Sequence, residues 1–172
     1  MNAYILAGGQ SKRMGSNKAL LFFNGKTMVE HIADLLLSAG CASVSLIVKK
    51  ELPLPLPQII ENTTQWHPLY GVSSALRSCA DEYCLISPCD LPFVSIPSYQ
   101  LLLQQQRECF FGNSNHRQPL LGIFATRRTK EAWHDAQSHK SVMSFVSNHT
   151  VIPIESQQIR NINRPTDRRD IP

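Results

Sequence analysis

Short apolar runs alternate with amphipathic stretches along the 172 residues of the chain. The runs NAYILA, SVSLIV and YCLIS have the length and composition of buried strands. The stretch TMVEHIADLLLSAG repeats its apolar residues at helical spacing, with Thr27 as N-cap and Gly40 as its end. Strands that alternate with helices are typical of a mostly parallel sheet covered on both faces. We therefore predict an α/β fold, a three-layer α/β/α sandwich.

The second half of the chain continues this pattern. The segments YGVSSALRSCA, TKEAWHDAQ and SVMSFVSN are predicted to be helical, and QPLLGIFA and TVIPI are predicted strands. The proline run ELPLPLP fits neither a helix nor a central strand, so we expect an extended loop there. Because no repeat, low-complexity tract or linker divides the sequence, we predict a single domain over residues 1–172.

Composition and charge narrow the class of protein. Hydrophobic residues make up 42% of the chain, but no window approaches the ~18 apolar residues of a membrane span. The amino terminus lacks the pattern of a signal peptide, so a cytoplasmic protein is expected, with no membrane partner. Five cysteines form no C-x-x-C pair, which argues against a zinc ribbon. The net charge of +4 is modest and no nucleic-acid module is visible, so a small anionic substrate fits better than nucleic acid.

The segment ILAGGQSKRMGSNKALLF follows the first predicted strand and carries glycines and cations together. Its spacing fits neither a P-loop nor a dinucleotide-binding fingerprint. Gly8 and Gly9 nevertheless allow a ligand to approach the backbone closely, and Lys12, Arg13 and Lys18 add positive charge. These residues indicate a site for a polyanion, with an ordinary solvated turn as the alternative.

Asp90 is the most informative carboxylate, because it stands just past a buried strand between Pro88 and Pro92. It could cap the next turn. Opposite a cationic loop, however, it is better suited to hold Mg²⁺, which takes one or two protein carboxylates and completes its shell with phosphates and water. The carboxyl ends of parallel strands share one edge of a sheet, so Asp90 and the glycine loop are expected to lie close together. The reaction class indicated is displacement at a phosphoryl group.

Five segments resemble a known family in both order and separation. They are ILAGGQSKRMGSNKALL, HPLYGVSSAL, SPCDLPF, RQPLLGIF and NINRPTD. Over nearly its whole length the chain is similar to the molybdenum cofactor guanylyltransferases of the nucleotidyltransferase superfamily. The resemblance implies a Rossmann-like nucleotidyltransferase fold and transfer of GMP from GTP to molybdopterin in its molybdenum-loaded form, with release of pyrophosphate. Proteins that deliver molybdopterin are candidate partners.

The resemblance also implies roles for individual residues. It makes Arg13, Lys18 and Asp90 catalytic, with Asp90 as the ligand of Mg²⁺, and it places Asn161 and Asn163 near the metal or the pterin acceptor. The implied nucleotide-binding residues are Leu6, Ala7, Gly8, Gly9, Lys18, Asn62 and Asp90.

The chain departs from the family pattern at several positions, inside and outside these segments. Lys49 stands where the family usually has Asn, and Asn62 stands where it usually has Asp. His67 and Tyr70 replace small residues in the HPLYG segment, and Gln118 replaces a histidine. Two alternatives stay open: a cytidylyltransferase or sugar-phosphate nucleotidyltransferase of the same fold, and a nucleotide-binding protein without turnover.

Overall fold

The computed structural model describes residues 1–9 and 18–162, and a seven-stranded sheet forms the centre of this part. A two-stranded hairpin lies beside it. In chain order the strands are β1 (Asn2–Leu6), β2 (Phe22–Phe23), β3 (Lys26–Thr27), β4 (Ser43–Val48), β5 (Gln58–Ile60), β6 (Tyr83–Pro88), β7 (Cys109–Gly112), β8 (Arg117–Ala125) and β9 (Thr150–Pro153). The large sheet has the order β5-β4-β1-β6-β8-β7-β9, and β2 pairs with β3.

Six strands of the large sheet run in one direction. The pairs β1–β4, β1–β6, β4–β5 and β7–β9 are parallel, whereas β8 is antiparallel to both of its neighbours. The predicted mostly parallel sheet is therefore confirmed. The carboxyl ends of β1, β4, β5 and β6 lie at one edge, which we call the carboxyl edge.

Helices cover both faces of the sheet. In chain order they are α1 (Met28–Ala39), α2 (Pro68–Ser78), α3 (Ile96–Leu103), α4 (Thr129–Gln137) and α5 (Val142–Phe145), with 3₁₀ turns at Lys18–Leu20 and Thr126–Arg128. Successive residues of β1 point to opposite faces: Ile5 packs in the core beneath α1 and α3, and Tyr4 packs in the core beneath α2, α4 and α5. The three-layer α/β/α sandwich is confirmed. No helix of the described part is long and apolar enough to cross a membrane.

The first helix begins and ends where the sequence indicates. Thr27 is the N-cap of α1, and a capping box is complete because the Thr27 N–H donates to Glu30 Oε2 over 2.9 Å and the Thr27 hydroxyl accepts from the Glu30 N–H. The Thr27 hydroxyl also donates to Glu30 Oε2 over 2.6 Å, and this bond together with the one from the Thr27 N–H holds the pKa of the Glu30 carboxyl below its usual value. Gly40 follows the last helical turn as predicted.

Other boundaries differ from the predictions. Strand β7 was not predicted, because its four residues, CFFG, are all buried and show no alternation. Helix α2 begins two residues before the predicted start, with Pro68 in its first turn. The first N–H groups of a helix have no partner within the helix, so a proline there removes no hydrogen bond. Helix α5 covers only four residues of the segment SVMSFVSN.

A charged cluster of Arg128, Glu108, Glu131 and His149 connects α4 and α5 to the edge of the sheet opposite the carboxyl edge. The Arg128 guanidinium donates to Glu131 Oε2 over 2.8 Å and to the Phe145 carbonyl oxygen over 2.7 Å, and it pairs with Glu108. The His149 ring is buried beside it, with Nε2 3.6 Å from Glu108 Oε1 and Nδ1 3.4 Å from Arg128 Nη1. Burial lowers the pKa of His149 to about 4, because the apolar surroundings and Arg128 oppose its positive charge more than Glu108 favours it.

The buried His149 predicts a loss of stability in mild acid. The unfolded chain binds a proton at His149 near its ordinary pKa of 6.5, whereas the folded protein resists protonation until about pH 4. The free energy of unfolding should therefore fall as the pH drops from about 6.5 to about 4, by at most about 1.4 kcal/mol per pH unit. Denaturation at a series of pH values should show a flatter dependence for His149→Phe than for the wild type. Replacement of the exposed His116 by Phe should leave the dependence unchanged; equal slopes in all three proteins would contradict the prediction.

Close packing of β7 against β8 predicts a second stability effect. The strands shift register between Phe110 and Phe111, and a Cβ at Gly122 would overlap the Cys109 carbonyl oxygen and lie 2.8 Å from Cα of Phe110. Gly122→Ala should lower the free energy of unfolding by about 2 kcal/mol or more in urea denaturation. Gly9→Ala is the matched control, because nothing lies within 4 Å of a Cβ there. Similar stabilities for the two variants would show that the strands separate without cost.

Candidate active site

The loop after β1 begins at the carboxyl edge. Leu6 is the last residue of β1, and the Ala7 N–H extends the pairing with β4 by donating to the Ile47 carbonyl oxygen over 2.8 Å. Gly8 is half-buried and Gly9 is exposed, so the backbone leaves the sheet at these two residues. The backbone at this edge is therefore hydrogen-bonded to the sheet up to Ala7 and becomes exposed at Gly9.

Asp90 lies in the turn after β6, at the same edge. Its Oδ2 is 3.3 Å from Lys18 Nζ and accepts a hydrogen bond from Asn161 Nδ2 over 3.1 Å. The Asp90 and Lys18 side chains are 17% and 24% exposed, so both remain accessible to a ligand. Lys18 and Asn161, which lie 72 and 71 positions from Asp90 in sequence, thus meet at one oxygen of the Asp90 carboxylate.

Gln118 and the backbone of Asp90 hold the segment around Asn161 in place. Gln118 Nε2 donates to Asn161 Oδ1 over 2.8 Å and to the Ile159 carbonyl oxygen over 3.2 Å. Because the Asn161 oxygen is engaged by Gln118, its amide nitrogen faces Asp90. The Ile162 N–H donates to the Asp90 carbonyl oxygen over 3.0 Å. Gln118 therefore orients the Asn161 amide that donates to Asp90. The sequence alone indicated only that Gln118 departs from the family pattern.

A second charged pair lies beside Gly8. Glu61 follows β5, its side chain is 5% exposed, and its Oε2 is 2.7 Å from Lys49 Nζ at the end of β4. Lys49 therefore partners the buried Glu61 carboxylate in a short ion pair. Burial raises the pKa of Glu61, and Lys49 opposes that rise.

An open cavity of about 510 Å³ adjoins this pair. Its lining residues are Lys49, Glu61, Asn62, Thr63, Thr64 and Trp66. Lys49 Nζ also donates to the Thr63 carbonyl oxygen over 3.0 Å and lies 5.5 Å from the centre of the Trp66 ring. The cavity therefore combines a carboxylate, an ammonium group, an amide and an exposed aromatic ring, which is a donor and acceptor set suited to a heterocyclic base.

The unusual residues of the HPLYG segment serve the fold. His67 caps α2, with Nδ1 accepting from the Leu69 N–H over 3.3 Å, and burial lowers the pKa of its ring. Tyr70 is 2% exposed and packs edge-on against Trp133, with ring centres 4.9 Å apart. Tyr70 therefore fills the space between α2 and α4.

The structure divides the predicted site residues into two groups along the carboxyl edge. Lys18, Asp90 and Asn161 form one cluster, whereas Asn62 lies exposed on the cavity beside Glu61. Arg13 and Asn163 lie outside the described residues, and the roles given to all of these side chains stay predictions. Glu61 was missed; the signal that could have revealed it is a charged residue directly after the apolar run QII.

Comparisons with known proteins agree with this architecture. Residues 3–152 match the family model of the MobA-like NTP transferase domain. A probable molybdenum cofactor guanylyltransferase of Flavobacterium johnsoniae is 31% identical, covering 74% of this chain and 70% of that protein. Another of Rhodopirellula baltica is 30% identical, covering 95% and 87%.

Solved structures share the fold at low identity. The molybdopterin-guanine dinucleotide biosynthesis protein A of Archaeoglobus fulgidus has a TM-score of 0.78 and 18% identity, covering 97% of this chain and 94% of its own. A CMP:2-keto-3-deoxy-manno-octonic acid synthetase complexed with CTP has a TM-score of 0.70 and 12% identity, covering 98% and 96%. The class of protein is thus a nucleotidyltransferase of Rossmann-like fold. The chain belongs to the MobA-like NTP transferase family, as the sequence motifs indicated.

Proposed function

We propose that this protein transfers GMP from GTP to the phosphate of molybdopterin in its molybdenum-loaded form, releasing pyrophosphate. The observation that carries the proposal is the Asp90 carboxylate, held between Lys18 and Asn161 at the carboxyl edge beside the glycine loop. The relatives named guanylyltransferases match most of the chain at about 30% identity, whereas the CTP-bound neighbour shares the fold at 12%, so guanylyl transfer is favoured over cytidylyl transfer.

The nucleotide is expected to lie across the carboxyl edge. Its base would occupy the cavity that Asn62 lines, and its phosphates would lie along the backbone from Leu6 to Gly9, where N–H groups can approach an anion. Lys18 supplies a positive charge for the triphosphate, and Arg13 is assigned the same task by its place in the glycine loop. This arrangement leaves the α-phosphate near the cluster of Lys18, Asp90 and Asn161.

Asp90 has the chemistry of a Mg²⁺ ligand. Among the residues that the structure describes, no group of three His, Cys, Asp or Glu side chains could hold a metal alone. A single partly exposed carboxylate fits Mg²⁺, because this ion commonly keeps several waters and shares its remaining positions with substrate phosphates. When bound, the ion supplies neutralisation of phosphate charge as pyrophosphate leaves.

The protein contributes mainly position and charge to the transfer. A phosphate oxygen of the acceptor attacks the α-phosphorus of GTP, the bond to the β-phosphate oxygen breaks, and pyrophosphate departs on the opposite side. Lys18 and Arg13 are assigned to the stabilisation of negative charge on the departing group, and Asn161 and Asn163 are assigned to the acceptor side. We expect the reaction in the cytoplasm, with proteins that deliver molybdopterin as partners.

GTP with Mg²⁺ should raise the thermal stability of the protein. A ligand that binds only the folded state stabilises it by RT ln(1 + [L]/Kd), about 2.7 kcal/mol at a hundredfold excess over Kd. The melting temperature measured by differential scanning fluorimetry should therefore rise with GTP and rise less with ATP. An unmoved midpoint in saturating GTP and Mg²⁺, combined with a rise in another small anion, would count against nucleotide binding.

Asp90→Asn should separate metal binding from simple capping. The amide keeps the size and the capping ability of the carboxyl group but removes its charge. We expect normal folding, GTP affinity that no longer increases with Mg²⁺ in calorimetry, and a loss of turnover of about a hundredfold or more. Asp34→Asn is the matched control, because Asp34 forms an exposed ion pair with Lys26 away from this cluster. The same Mg²⁺ dependence in wild type and Asp90→Asn would remove Asp90 from the mechanism.

A further inference from the structure

Gln118 begins a series of hydrogen bonds that ends at the Asp90 carboxylate. It lies at the start of β8, and because β8 is antiparallel to β6, this start lies at the carboxyl edge, where β6 ends. Gln118 Nε2 is 3.2 Å from the Ile159 carbonyl oxygen and 2.8 Å from Asn161 Oδ1, and Asn161 Nδ2 is 3.1 Å from Asp90 Oδ2. A side chain of β8 thus reaches Asp90 through Asn161.

The direction of each bond in the series follows from the first. A backbone carbonyl oxygen only accepts, so the Gln118 atom that faces Ile159 must be the amide nitrogen. That nitrogen carries a second hydrogen, and the Asn161 atom that accepts it must be the amide oxygen. The Asn161 nitrogen then faces Asp90 as a donor to a carboxylate. The Ile159 carbonyl oxygen therefore sets the orientation of both amides.

Asp90 gains a fixed direction from these contacts. Its Oδ2 accepts from Asn161 and lies 3.3 Å from Lys18 Nζ, so donors from two separate segments contact one oxygen. The Ile162 N–H donates to the Asp90 carbonyl oxygen over 3.0 Å and holds the backbone of the same residue. Outer partners of this kind fix the orientation of a metal ligand and raise the affinity for the metal.

We propose that Gln118 is a positioning residue of the transfer reaction: it holds the Asn161 amide nitrogen toward Asp90 and thereby fixes the direction of the carboxylate to which we assign Mg²⁺. The inference rests on the proposed function, because it assumes that Asp90 binds Mg²⁺ together with the nucleotide. Gln118 acts through Asn161 and is assigned no contact with the nucleotide. A purely structural Gln118 would only attach the segment around Ile159 to the sheet.

Gln158 provides the matched control for simple attachment. Its Oε1 accepts from the Ser95 N–H over 3.0 Å and from the Ser98 hydroxyl over 2.8 Å, so it attaches the same segment to the first turn of α3. Like Gln118, it is half-buried. Replacement of either glutamine by Met removes the amide and keeps a side chain of similar length. Only Gln118→Met, however, removes the donor that orients Asn161.

The test measures the dissociation constant of GTP with and without Mg²⁺ by calorimetry, together with turnover. In Gln118→Met we expect the gain in GTP affinity from Mg²⁺ to fall about three- to tenfold and turnover to fall with it, because Asp90 loses an outer partner. The affinity for GTP alone should stay unchanged. Gln158→Met should keep the wild-type gain even if its melting temperature falls. Equal losses in the two variants would overturn the positioning role.

Gln118→Glu tests orientation without a change of shape. An ionised glutamate offers only acceptors, so the Asn161 amide should turn its nitrogen to position 118 and its oxygen to Asp90. The gain from Mg²⁺ should fall at least as far as in Gln118→Met, although an added negative charge by itself attracts a cation. A gain equal to or above that of the wild type would overturn the proposal.

Nuclear magnetic resonance of the metal-free protein reports the orientation directly. In nitrogen-15 spectra, the side-chain amide signals of Asn161 should move in Gln118→Met and Gln118→Glu and keep their positions in Gln158→Met, because only the first two variants lose the donor to Asn161 Oδ1. Unmoved signals in both Gln118 variants would contradict the proposed orientation.

A double-mutant cycle with Asn161→Ala tests the route of the effect. If Gln118 acts through Asn161, Gln118→Met should have no further effect on the gain from Mg²⁺ once Asn161 is replaced. Additive losses would show that Gln118 acts by another route and would overturn the inference.

The outcomes distinguish this inference from the proposed function. A wild type whose GTP affinity rises with Mg²⁺, together with the same rise in Gln118→Met, would overturn the role of Gln118 and leave guanylyl transfer standing. A wild type whose GTP affinity does not respond to Mg²⁺ and that transfers no GMP would overturn both.

Discussion

Parallel pairing of β1 with β4 and β6 is the constraint on which the rest of the structure depends. The register aligns Leu6 with Ile47 on one side and with Pro88 on the other, so the three strands end at the same level. Every segment that follows these strands then emerges at one edge. The glycine loop, Lys49 and Asp90 are far apart in sequence. They lie at the same edge because three strands share one direction and register.

Buried charge has different tasks at the two edges of the sheet. At the edge opposite the carboxyl edge, Arg128 joins residues of α4, α5 and the sheet with directed hydrogen bonds, and its partners belong to the protein. At the carboxyl edge, Asp90 is partly exposed beside Lys18 and Asn161, and Glu61 is buried in an ion pair with Lys49 next to the cavity. The first arrangement joins parts of the protein to one another, whereas we assign the second to the proposed binding of the nucleotide.

The departures from the family pattern have separate physical explanations. Tyr70 fills the space between helices, and His67 caps one of them, so both changes concern packing. Gln118 orients Asn161 toward Asp90. Lys49 forms an ion pair with Glu61, which lies next to Asn62 in the cavity. The contacts of Gln118 and Lys49 therefore place an amide donor beside Asp90 and an ammonium group beside Glu61.

The sequence by itself determined most of the helices and strands and the edge of the sheet at which the glycine loop and Asp90 lie. Period-2 and period-3.6 patterns, the Thr27 cap and the strand ends before Gly8 and Asp90 are local features, which residues a few positions apart decide. Only the tertiary structure decided which side chains meet. Gln118 reaches Asn161 across 43 positions, and Asn161 reaches Asp90 across 71. Such contacts depend on strand register and side-chain direction, which no local pattern encodes, and for the same reason the pairing of Glu61 with Lys49 emerged from the fold alone.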